Sequence, residues 1–414
     1  MTGWTRTGHR LAQRGITQAF AIVGLFVLSA CSPIHIASRT IDFGFGGSSQ
    51  TTANQTMTPL TTAGPGQVFG RGPVQVALLL PLTGNAGLAS VGQSMANGSR
   101  LAMAFIEANP NIAENTTITL RDTGGTVAGA TSATQAALAS GAKLILGPLR
   151  GDSVTAAGAA ARAAGVPLIG FSNNPGAAGP GVYLLSVLPD MEMKRALSYV
   201  KAKGRRGVAG AFPSSAYGQA LQTAFRQQAV QAGLSPSAVY TFSGASEVSQ
   251  VVSQALPLIK KGLIDTLFIP DRATAPTFGA QLAQAGVSPA DVQIVGSADW
   301  EGDTTIAATP SLSGALYPAV DPAGMAAIRA DYQARFNSQP HALATIAYTA
   351  TILANVNTLS LANPPYNPML MTTPTGFNGR DGVFRFLSNG RSEYALALMQ
   401  VGAGGASRLE GPKL

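Results

Sequence analysis

From Pro73 onward, short apolar runs alternate with longer alanine-rich stretches, which is the pattern of βαβ units around a parallel sheet. The first unit predicts a strand over Val74–Leu80 and, after a turn, a helix over 91–108 whose apolar residues recur at near-helical spacing. Further strands are predicted over 117–121, 143–146 and 166–169, and helices over 127–140 and 153–164.

A second series of the same kind begins after Leu188. It predicts helices over 191–203, 217–232, 248–261 and 276–285, and strands over 208–211, 238–242, 266–269 and 293–295. Beyond Leu316 we expect two more helices, over 325–336 and 344–361. The apolar segments 381–386 and 394–401 are predicted to form a hairpin.

The segment from 73 to 414 is too long for a single core, so two similar α/β lobes are the better prediction. We expect one domain over 73–401, with a tail over 402–414. The predicted lobes are discontinuous: lobe 1 comprises about 73–188 plus 317–365, and lobe 2 comprises about 189–316 plus 380–401.

The N-terminus carries three arginines followed by an apolar stretch, over about 16–28, that is too short to span a bilayer. This pattern predicts an export signal over 1–30. The residues Leu28-Ser29-Ala30-Cys31 resemble the bacterial lipobox, which predicts cleavage before Cys31 and lipid attachment to its thiol. An ordinary signal peptide with an incidental cysteine is the alternative. The following stretch to Gly72 is rich in Gly, Thr, Ser and Pro, and predicts a flexible tether.

The formal charge of +8 falls to +5 when the three arginines of 1–30 are removed, and only 11% of residues are charged. The densest basic run is Lys201-Ala-Lys-Gly-Arg-Arg206, a poor electrostatic footprint for nucleic acid, so we expect no nucleic-acid partner. An exported, lipid-anchored protein would meet anionic lipid and cell wall instead. Cys31 is the only cysteine, so no disulfide can form within the chain.

Motifs for catalysis are absent from the sequence. His341 is the only histidine beyond the tether and is interpreted as a helix-start residue. The chain has no Gly-x-Ser-x-Gly elbow, no zinc motif and no Walker loop. We therefore expect a non-enzymatic protein with no metal and no cofactor, although a pair of carboxylates acting in catalysis stays open from sequence alone.

Several short motifs, in order, resemble the Leu/Ile/Val-binding proteins of the type I periplasmic binding fold. They are Val76-Ala-Leu-Leu-Leu-Pro-Leu-Thr-Gly84, Asn97-Gly98, Gly147-Pro148, Gly165-Val-Pro-Leu-Ile169, Ala216-Tyr-Gly218 and Gly376-Phe-Asn-Gly-Arg-Asp-Gly382. The resemblance is strongest to exported lipoproteins described as penicillin-binding protein activators. It implies an α/β fold of two lobes, each a mainly parallel sheet flanked by helices, joined by three crossovers near Leu188, Tyr317 and Arg380.

The resemblance also implies a ligand between the lobes, and ligands of open α/β sheets lie at the carboxyl ends of strands. In amino-acid binders of this family, hydroxyls and amides of lobe 1 hold the carboxylate, and an acid and an aromatic of lobe 2 meet the ammonium. The matching candidates are Ser153, Ser172 and Asn173 from lobe 1, and Tyr217, Asp299, Trp300 and Glu301 from lobe 2.

Each candidate has a structural alternative. Ser153 or Asp152 suits a helix cap, and Ser172 and Asn173 suit a turn before Pro175. Tyr217 suits the core of its helix, and Trp300 suits packing within one lobe. The segment 149–153 also departs from the amino-acid pattern, because it adds Arg150 and Asp152 where the carboxylate is expected. Either Arg150 meets the carboxylate or the ligand is not a simple amino acid.

Two functions follow from the resemblance. The first is capture of a small amino-acid-like or cell-wall-derived ligand for an ABC permease or a sensor. The second is activation of a penicillin-binding protein, a peptidoglycan synthase, by protein contact. Ser32 after the lipid-bearing cysteine favours an outer-membrane lipoprotein facing the periplasm, if the cell has an outer membrane. We place ligand capture ahead, with synthase activation as the alternative.

Overall fold

The computed structural model describes residues 41–42 and 64–414, which all belong to one compact unit. Cys31, the predicted signal and most of the predicted tether lie outside the described residues. The first part of the chain forms β1 (Ile41–Asp42), β2 (Val68–Phe69), β3 (Val74–Leu80), α1 (Ala86–Ala108), β4 (Thr116–Asp122), α2 (Val127–Ala139), β5 (Leu144–Leu146), α3 (Gly151–Ala163), β6 (Leu168–Gly170) and β7 (Val182–Leu184).

The middle part repeats this alternation of helices and strands. It forms α4 (Pro189–Ala202), β8 (Val208–Pro213), α5 (Ala216–Gln231), β9 (Ala238–Phe242), α6 (Val248–Lys260), β10 (Thr266–Phe268), α7 (Ala275–Gln284), β11 (Gln293–Val295), α8 (Thr304–Ala308) and β12 (Leu316–Ala319).

The last part contributes to both lobes. It forms α9 (Ala323–Phe336), α10 (Ala344–Asn355), α11 (Asn357–Ser360), α12 (Pro368–Met371), β13 (Phe377–Gly379), β14 (Gly382–Phe386), β15 (Ser392–Tyr394), β16 (Leu396–Gly402) and β17 (Gly405–Lys413).

Lobe 1 is built on a six-stranded sheet in the order β2-β4-β3-β5-β6-β7, parallel except for β2. Six of the seven residues of β3 are buried, as a strand covered by helices on both faces requires. One face packs against α1 and α10, and the other against α2 and α3. Gly98 lets α1 approach α10 closely, because a Cβ there would overlap the carbonyl oxygen of Ala344.

Lobe 2 is built on a seven-stranded sheet in the order β17-β16-β12-β11-β10-β8-β9. The five strands from β8 to β12 run parallel, whereas β16 pairs antiparallel with β12 and β17 pairs antiparallel with β16. Helices α6 and α7 cover one face, and α4 and α5 cover the other. The predicted two-lobed α/β architecture is thus confirmed.

The predicted hairpin is wrong, because its two segments lie in different sheets. β14 belongs to a small sheet in the order β1-β13-β14-β15, whose aromatic residues join the core of lobe 1. β16 instead joins the sheet of lobe 2. The chain passes from one lobe to the other at Ala395, between these segments. Each segment is therefore apolar because it is buried in the core of a different lobe.

The first two crossovers lie near their predicted positions, whereas the third does not. The first lies at Leu188, between β7 and α4. Tyr317 lies inside β12 of lobe 2, so the second crossover follows Ala319. The third lies at Ala395 rather than near Arg380, because β14 and β15 stay with lobe 1. Lobe 1 therefore extends about thirty residues beyond its predicted end at 365, to Tyr394.

Both ends of the predicted domain also need correction. The tether was predicted to reach Gly72, yet β2 pairs with β4 and Phe69 is buried in lobe 1. The predicted tail over 402–414 is mostly strand β17, whose glycines and Pro412 conceal the strand pattern at a sheet edge. Among the residues that the structure describes, no helix is long and apolar enough to cross a membrane.

Candidate functional site

A cleft of about 500 Å³ lies between the lobes. The loops that form it follow the carboxyl ends of β5, β6 and β8, where an open α/β sheet places its ligands. Both lobes contribute to its lining, which consists of Leu149, Arg150, Gly151, Asp152, Ser172, Asn173 and Asn174 from lobe 1, and Ala216, Tyr217 and Ala220 from lobe 2.

Two predicted residues, Ser172 and Asn173, line the lobe 1 side of the cleft. Ser172 is buried, and its Oγ accepts a hydrogen bond of 3.1 Å from the backbone N–H of Asn174. Asn174 in turn accepts from the backbone N–H of Gly176, so this loop is also the turn that the alternative interpretation describes. Asn173 is exposed toward the cleft. A turn and a ligand wall are therefore compatible at this position.

Arg150 and Asp152 form an ion pair on the same wall. Nε and Nη2 of Arg150 donate to the two carboxylate oxygens of Asp152 at 3.1 and 2.8 Å. The hydrogen bonds from Arg150 hold the pKa of Asp152 below its ordinary value. Both side chains are about half exposed, so the pair is screened by solvent and can open at small cost. Arg150 can therefore exchange Asp152 for an anionic ligand group.

Tyr217 lines the lobe 2 side, in the first turn of α5. Its hydroxyl donates a hydrogen bond of 3.2 Å to Oε1 of Glu192, in the first turn of α4. The other carboxyl oxygen of Glu192 accepts from the backbone N–H of Ala298 at 2.7 Å. Glu192 thereby joins the cleft wall to the loop after β11, immediately beyond the first crossover.

Glu192 has the most strongly perturbed carboxyl group near the cleft. It is 1% exposed, and burial raises its pKa to about 8. The hydrogen bonds from Ala298 and Tyr217 oppose this increase, whereas the negative charges of Asp299 and Asp190 reinforce it. Burial also raises the pKa of the Tyr217 hydroxyl. A positively charged ligand group near Glu192 would favour its ionised form.

The three predicted residues after β11 have different environments. Asp299 is exposed and close enough to Glu192 and Tyr217 to influence their pKa values. Trp300 is only 1% exposed; its indole N–H donates to the carbonyl oxygen of Pro270, and its ring lies 6.1 Å from that of Tyr317. Glu301 accepts a hydrogen bond of 2.9 Å from the Tyr317 hydroxyl, away from the cleft lining.

Trp300 and Glu301 therefore lie within lobe 2, and the expectation that they face the ligand does not fit this arrangement. Ser153 is likewise buried, behind the cleft lining in the first turn of α3. Its backbone N–H donates to Asp152 at 2.7 Å. Of the seven predicted residues, the structure brings Ser172, Asn173 and Tyr217 together at the cleft, with Asp299 beside them.

Sequence reasoning missed Glu192. Acidic residues in the first turn of a helix are common because they complement the helix dipole, and Asp190 and Glu192 match that ordinary pattern. Its neighbours Met191 and Met193 gave no sign either, because adjacent residues of a helix point in different directions and these two methionines pack in different cores. No cluster of metal-ligating side chains occurs among the residues described by the structure.

A family model described as periplasmic binding protein matches residues 73–406. The chain belongs to the periplasmic binding protein family. This membership implies an extracytoplasmic location, and the members found by comparison are binding proteins rather than enzymes. A comparison with curated protein sequences found no match.

Solved structures with the same fold are distant in sequence. A leucine-, isoleucine-, valine-, threonine- and alanine-binding protein from Brucella ovis, in a closed conformation, is 16% identical with a TM-score of 0.63, covering 83% of this chain and 95% of that one.

A branched-chain amino acid transporter substrate-binding protein from Streptococcus pneumoniae, in complex with isoleucine, is 20% identical with a TM-score of 0.58, covering 81% and 99%. A solute-binding protein from Rhodopseudomonas palustris, in complex with 3,4-dihydroxybenzoic acid, is 17% identical with a TM-score of 0.59, covering 82% and 98%. At these identities the likeness extends to the fold alone.

Proposed function

We propose that the protein captures a small zwitterionic ligand, an amino acid or a close relative, in the cleft between its lobes and delivers it to an ABC permease. The observation that carries this proposal is the composition of the two cleft walls. Lobe 1 presents neutral polar groups and an arginine whose present partner is Asp152, whereas lobe 2 presents a buried carboxyl group behind a tyrosine. These walls are complementary to a carboxylate and an ammonium, respectively.

The lobe 1 wall supports the carboxylate half of the proposal. Ser172 and Asn173 lie beside the N-terminus of α3, where backbone N–H groups and the helix dipole favour an anion. Arg150 adds a planar cation that can hold a carboxylate with two hydrogen bonds after it releases Asp152. A ligand carboxylate would therefore replace one that the protein already supplies.

The lobe 2 wall supports the ammonium half. Glu192, Asp299 and Tyr217 influence one another electrostatically; the two carboxyl groups carry or can acquire negative charge, whereas the raised pKa of Tyr217 keeps its hydroxyl neutral. Burial raises the pKa of Asp299, and the nearby Arg272 opposes that increase. An ammonium group next to Tyr217 would offset this concentration of acids. An aromatic carboxylate, the ligand of the Rhodopseudomonas palustris protein, has no positive group and would leave these acids unmatched.

Thermal melting with a ligand panel tests the proposal. The chain beginning at Ser32, which retains every described residue, is melted with single amino acids, short peptides, cell-wall fragments and benzoates. A ligand at about 100 times its Kd stabilises the folded state by about 2.7 kcal/mol, which is easily measured. We expect amino-acid-like compounds to raise the Tm. Ser172→Ala and Tyr217→Phe should each weaken ligand affinity at least tenfold and so give a smaller increase in Tm. Tyr240→Phe, in β9 and outside the cleft lining, is the matched control.

The panel also identifies the competing outcomes. If only benzoates raised the Tm, the ligand would be an aromatic carboxylate and not a zwitterion. No response from any compound, together with stimulation of a penicillin-binding protein by the same chain, would overturn ligand capture in favour of synthase activation.

We further propose that the mature protein is anchored through lipid on Cys31. The lipobox-like Leu28-Ser-Ala-Cys31 and the extracytoplasmic location of the family support this assignment. Cells expressing Cys31→Ala should release the protein from membranes or retain its signal, and Ser32 predicts recovery with the outer membrane where one exists. Unchanged size and membrane recovery of Cys31→Ala would rule out the lipid anchor.

A further inference from the structure

A dense group of positive charges lies at the end of lobe 2 opposite the cleft. Two loops meet there, one between α4 and β8 and one between α6 and β10. The backbone N–H groups of Arg206 and Gly207 donate to Asp265 Oδ2 at 2.9 and 3.1 Å, and Arg205 donates to the carbonyl oxygen of Asp265. We call the resulting surface the basic pole; it comprises Lys201, Lys203, Arg205, Arg206, Lys260 and Lys261.

The basic pole carries six positive charges and one carboxylate. All of its side chains are exposed except Arg205, which is half-buried. The carboxylate of Asp265 accepts hydrogen bonds from two backbone N–H groups and from the Thr266 hydroxyl, and these bonds hold its pKa below the ordinary value. This carboxylate therefore holds the two loops together. The exposed Asp291, two residues before the start of the neighbouring strand β11, adds a second negative charge at this end, so a net charge of about +4 faces solvent there.

Helix geometry alone does not explain this concentration. Lysines near helix C-termini complement the helix dipole, as Lys201 and Lys260 do. The equivalent loops of lobe 1, over 109–115, 140–143 and 164–167, contain only Glu114 and Lys143 as charged residues. Helices α1 and α2 end there without a basic residue in the last turn, and α3 carries one, Arg162. With Lys143, lobe 1 thus has two basic residues at this end, against six in lobe 2.

Exposed apolar side chains accompany the charges. Leu263, which is 52% exposed, lies in the same loop as Lys261. Val230 is 73% exposed and lies near the end of α5, two residues before Ala232, whose carbonyl oxygen accepts from the Lys201 ammonium. Positive charges around protruding aliphatic side chains characterise surfaces that bind at the headgroup level of anionic membranes.

We propose that the basic pole is a docking surface for an anionic phospholipid membrane. The aliphatic side chains favour a lipid surface over a soluble acidic partner, because a fully hydrated polyanion offers them no apolar contact. Docking through this pole leaves the cleft, at the opposite ends of the strands, accessible to solute. The inference does not depend on which ligand the cleft binds.

Vesicle sedimentation tests the docking. The chain beginning at Ser32 carries no lipid, so binding reports the folded surface. We expect sedimentation with vesicles of phosphatidylcholine and phosphatidylglycerol, none with phosphatidylcholine alone, and loss of binding in high salt. The triple variant Arg206→Ala, Lys260→Ala, Lys261→Ala should reduce the partition coefficient about a hundredfold, since each basic residue near such a surface contributes about fivefold.

A second triple variant controls for overall charge. Lys143→Ala, Arg162→Ala, Arg329→Ala removes three exposed basic residues of the lobe 1 part of the chain and should change partitioning less than about threefold. Equal losses in the two variants would show that binding follows net charge and would overturn the assignment. Failure to sediment with phosphatidylglycerol, combined with binding to polyglutamate, would overturn it in favour of an acidic macromolecule.

Discussion

The hydroxyl of Tyr217 donates a hydrogen bond to Oε1 of the buried Glu192, 3.2 Å away. This bond connects a residue of the cleft wall to the first turn of α4, which follows the crossover at Leu188. The second oxygen of Glu192 holds Ala298 in the loop that carries Asp299. One carboxyl group thus positions two segments of the lobe 2 wall, and its protonation affects both.

Glu192→Gln should make stability less dependent on pH. The folded-state pKa of Glu192 is raised from an ordinary 4.5 to about 8, so the folded protein holds a proton there that the unfolded chain has released. Stabilisation from this site is complete below about pH 4.5 and is lost as pH rises through about 8. Urea unfolding across this range should show a slope of up to about 1.4 kcal/mol per pH unit that Glu192→Gln removes.

Glu107→Gln is the matched control, because it makes the same change at an exposed position of α1, where the ion pair with Arg100 is 4.0 Å long and contributes little. Its unfolding free energy should follow that of the unaltered protein at every pH. If the unfolding free energies of Glu192→Gln and the unaltered protein changed with pH in the same way, folding would not raise the pKa of Glu192, and the prediction would be wrong.

Trp300→Ala should destabilise lobe 2. The indole is 1% exposed and fills space beside Gly296, where any Cβ would overlap the ring. Large-to-small changes of buried aromatic residues cost about 3–5 kcal/mol, so the urea midpoint should fall markedly. Met369→Ala, at a side chain that is 82% exposed, should change stability by less than about 0.5 kcal/mol. A stable Trp300→Ala protein that loses ligand response would instead place this residue at the ligand.

Trp300 also illustrates how far sequence reasoning reaches in the site. An aromatic residue between Asp299 and Glu301 has the composition of a cation site, and composition alone does not determine which way the ring points. The direction is set by the gap at Gly296 and by the carbonyl of Pro270, which the indole N–H reaches across thirty residues of sequence. Ser172, Asn173 and Tyr217 could be predicted from sequence, because their loops follow the carboxyl ends of strands, where open α/β sheets bind ligands.

A chain shortened to begin at Pro73 should have a lower free energy of unfolding than a chain shortened to begin at Gly64, because only the shorter one lacks β2. Phe69 is 2% exposed, and the guanidinium of Arg100 lies 5.7 Å from its ring centre. Burial of an aromatic side chain contributes about 1.5–3 kcal/mol, and the β2–β4 hydrogen bonds are lost as well. Urea unfolding of the two shortened chains measures the difference directly. Equal midpoints would mean that β2 adds nothing to lobe 1.

Gly324→Ala should disturb the second crossover. A Cβ at Gly324, near the start of α9, would overlap the carbonyl oxygen of Arg380, a backbone atom that cannot turn aside as the end of a flexible side chain could. Overpacking of this kind typically costs about 1–3 kcal/mol. Gly244→Ala is the control, because its backbone is extended and no atom lies within 4 Å of the added methyl. If thermal melting showed that Gly324→Ala lowers the Tm no more than Gly244→Ala does, the tight contact at Gly324 would be contradicted.

The fold itself was largely predictable where periodicity and burial coincide. Val74–Leu80 and Gln293–Val295 form strands with the predicted limits, because each is a buried run between turn residues. β12 was missed because it is short and contains Pro318, and α1 begins five residues before its predicted start because Asn85 caps it. Local pattern also gave no sign of the lobe to which β14 and β16 belong, since both are equally apolar.

The order of the strands in lobe 2 constrains when that lobe can be completed. β16 and β17 follow all the other strands of lobe 2 in the chain, yet they cover the edge of β12. The buried guanidinium of Arg195 bonds to the carbonyl of Leu396 and to Glu410, so α4 lacks these partners until residues 396–413 are available. Lobe 2 therefore cannot complete its sheet before lobe 1 has its whole sequence, because every segment of lobe 1 precedes β16 in the chain.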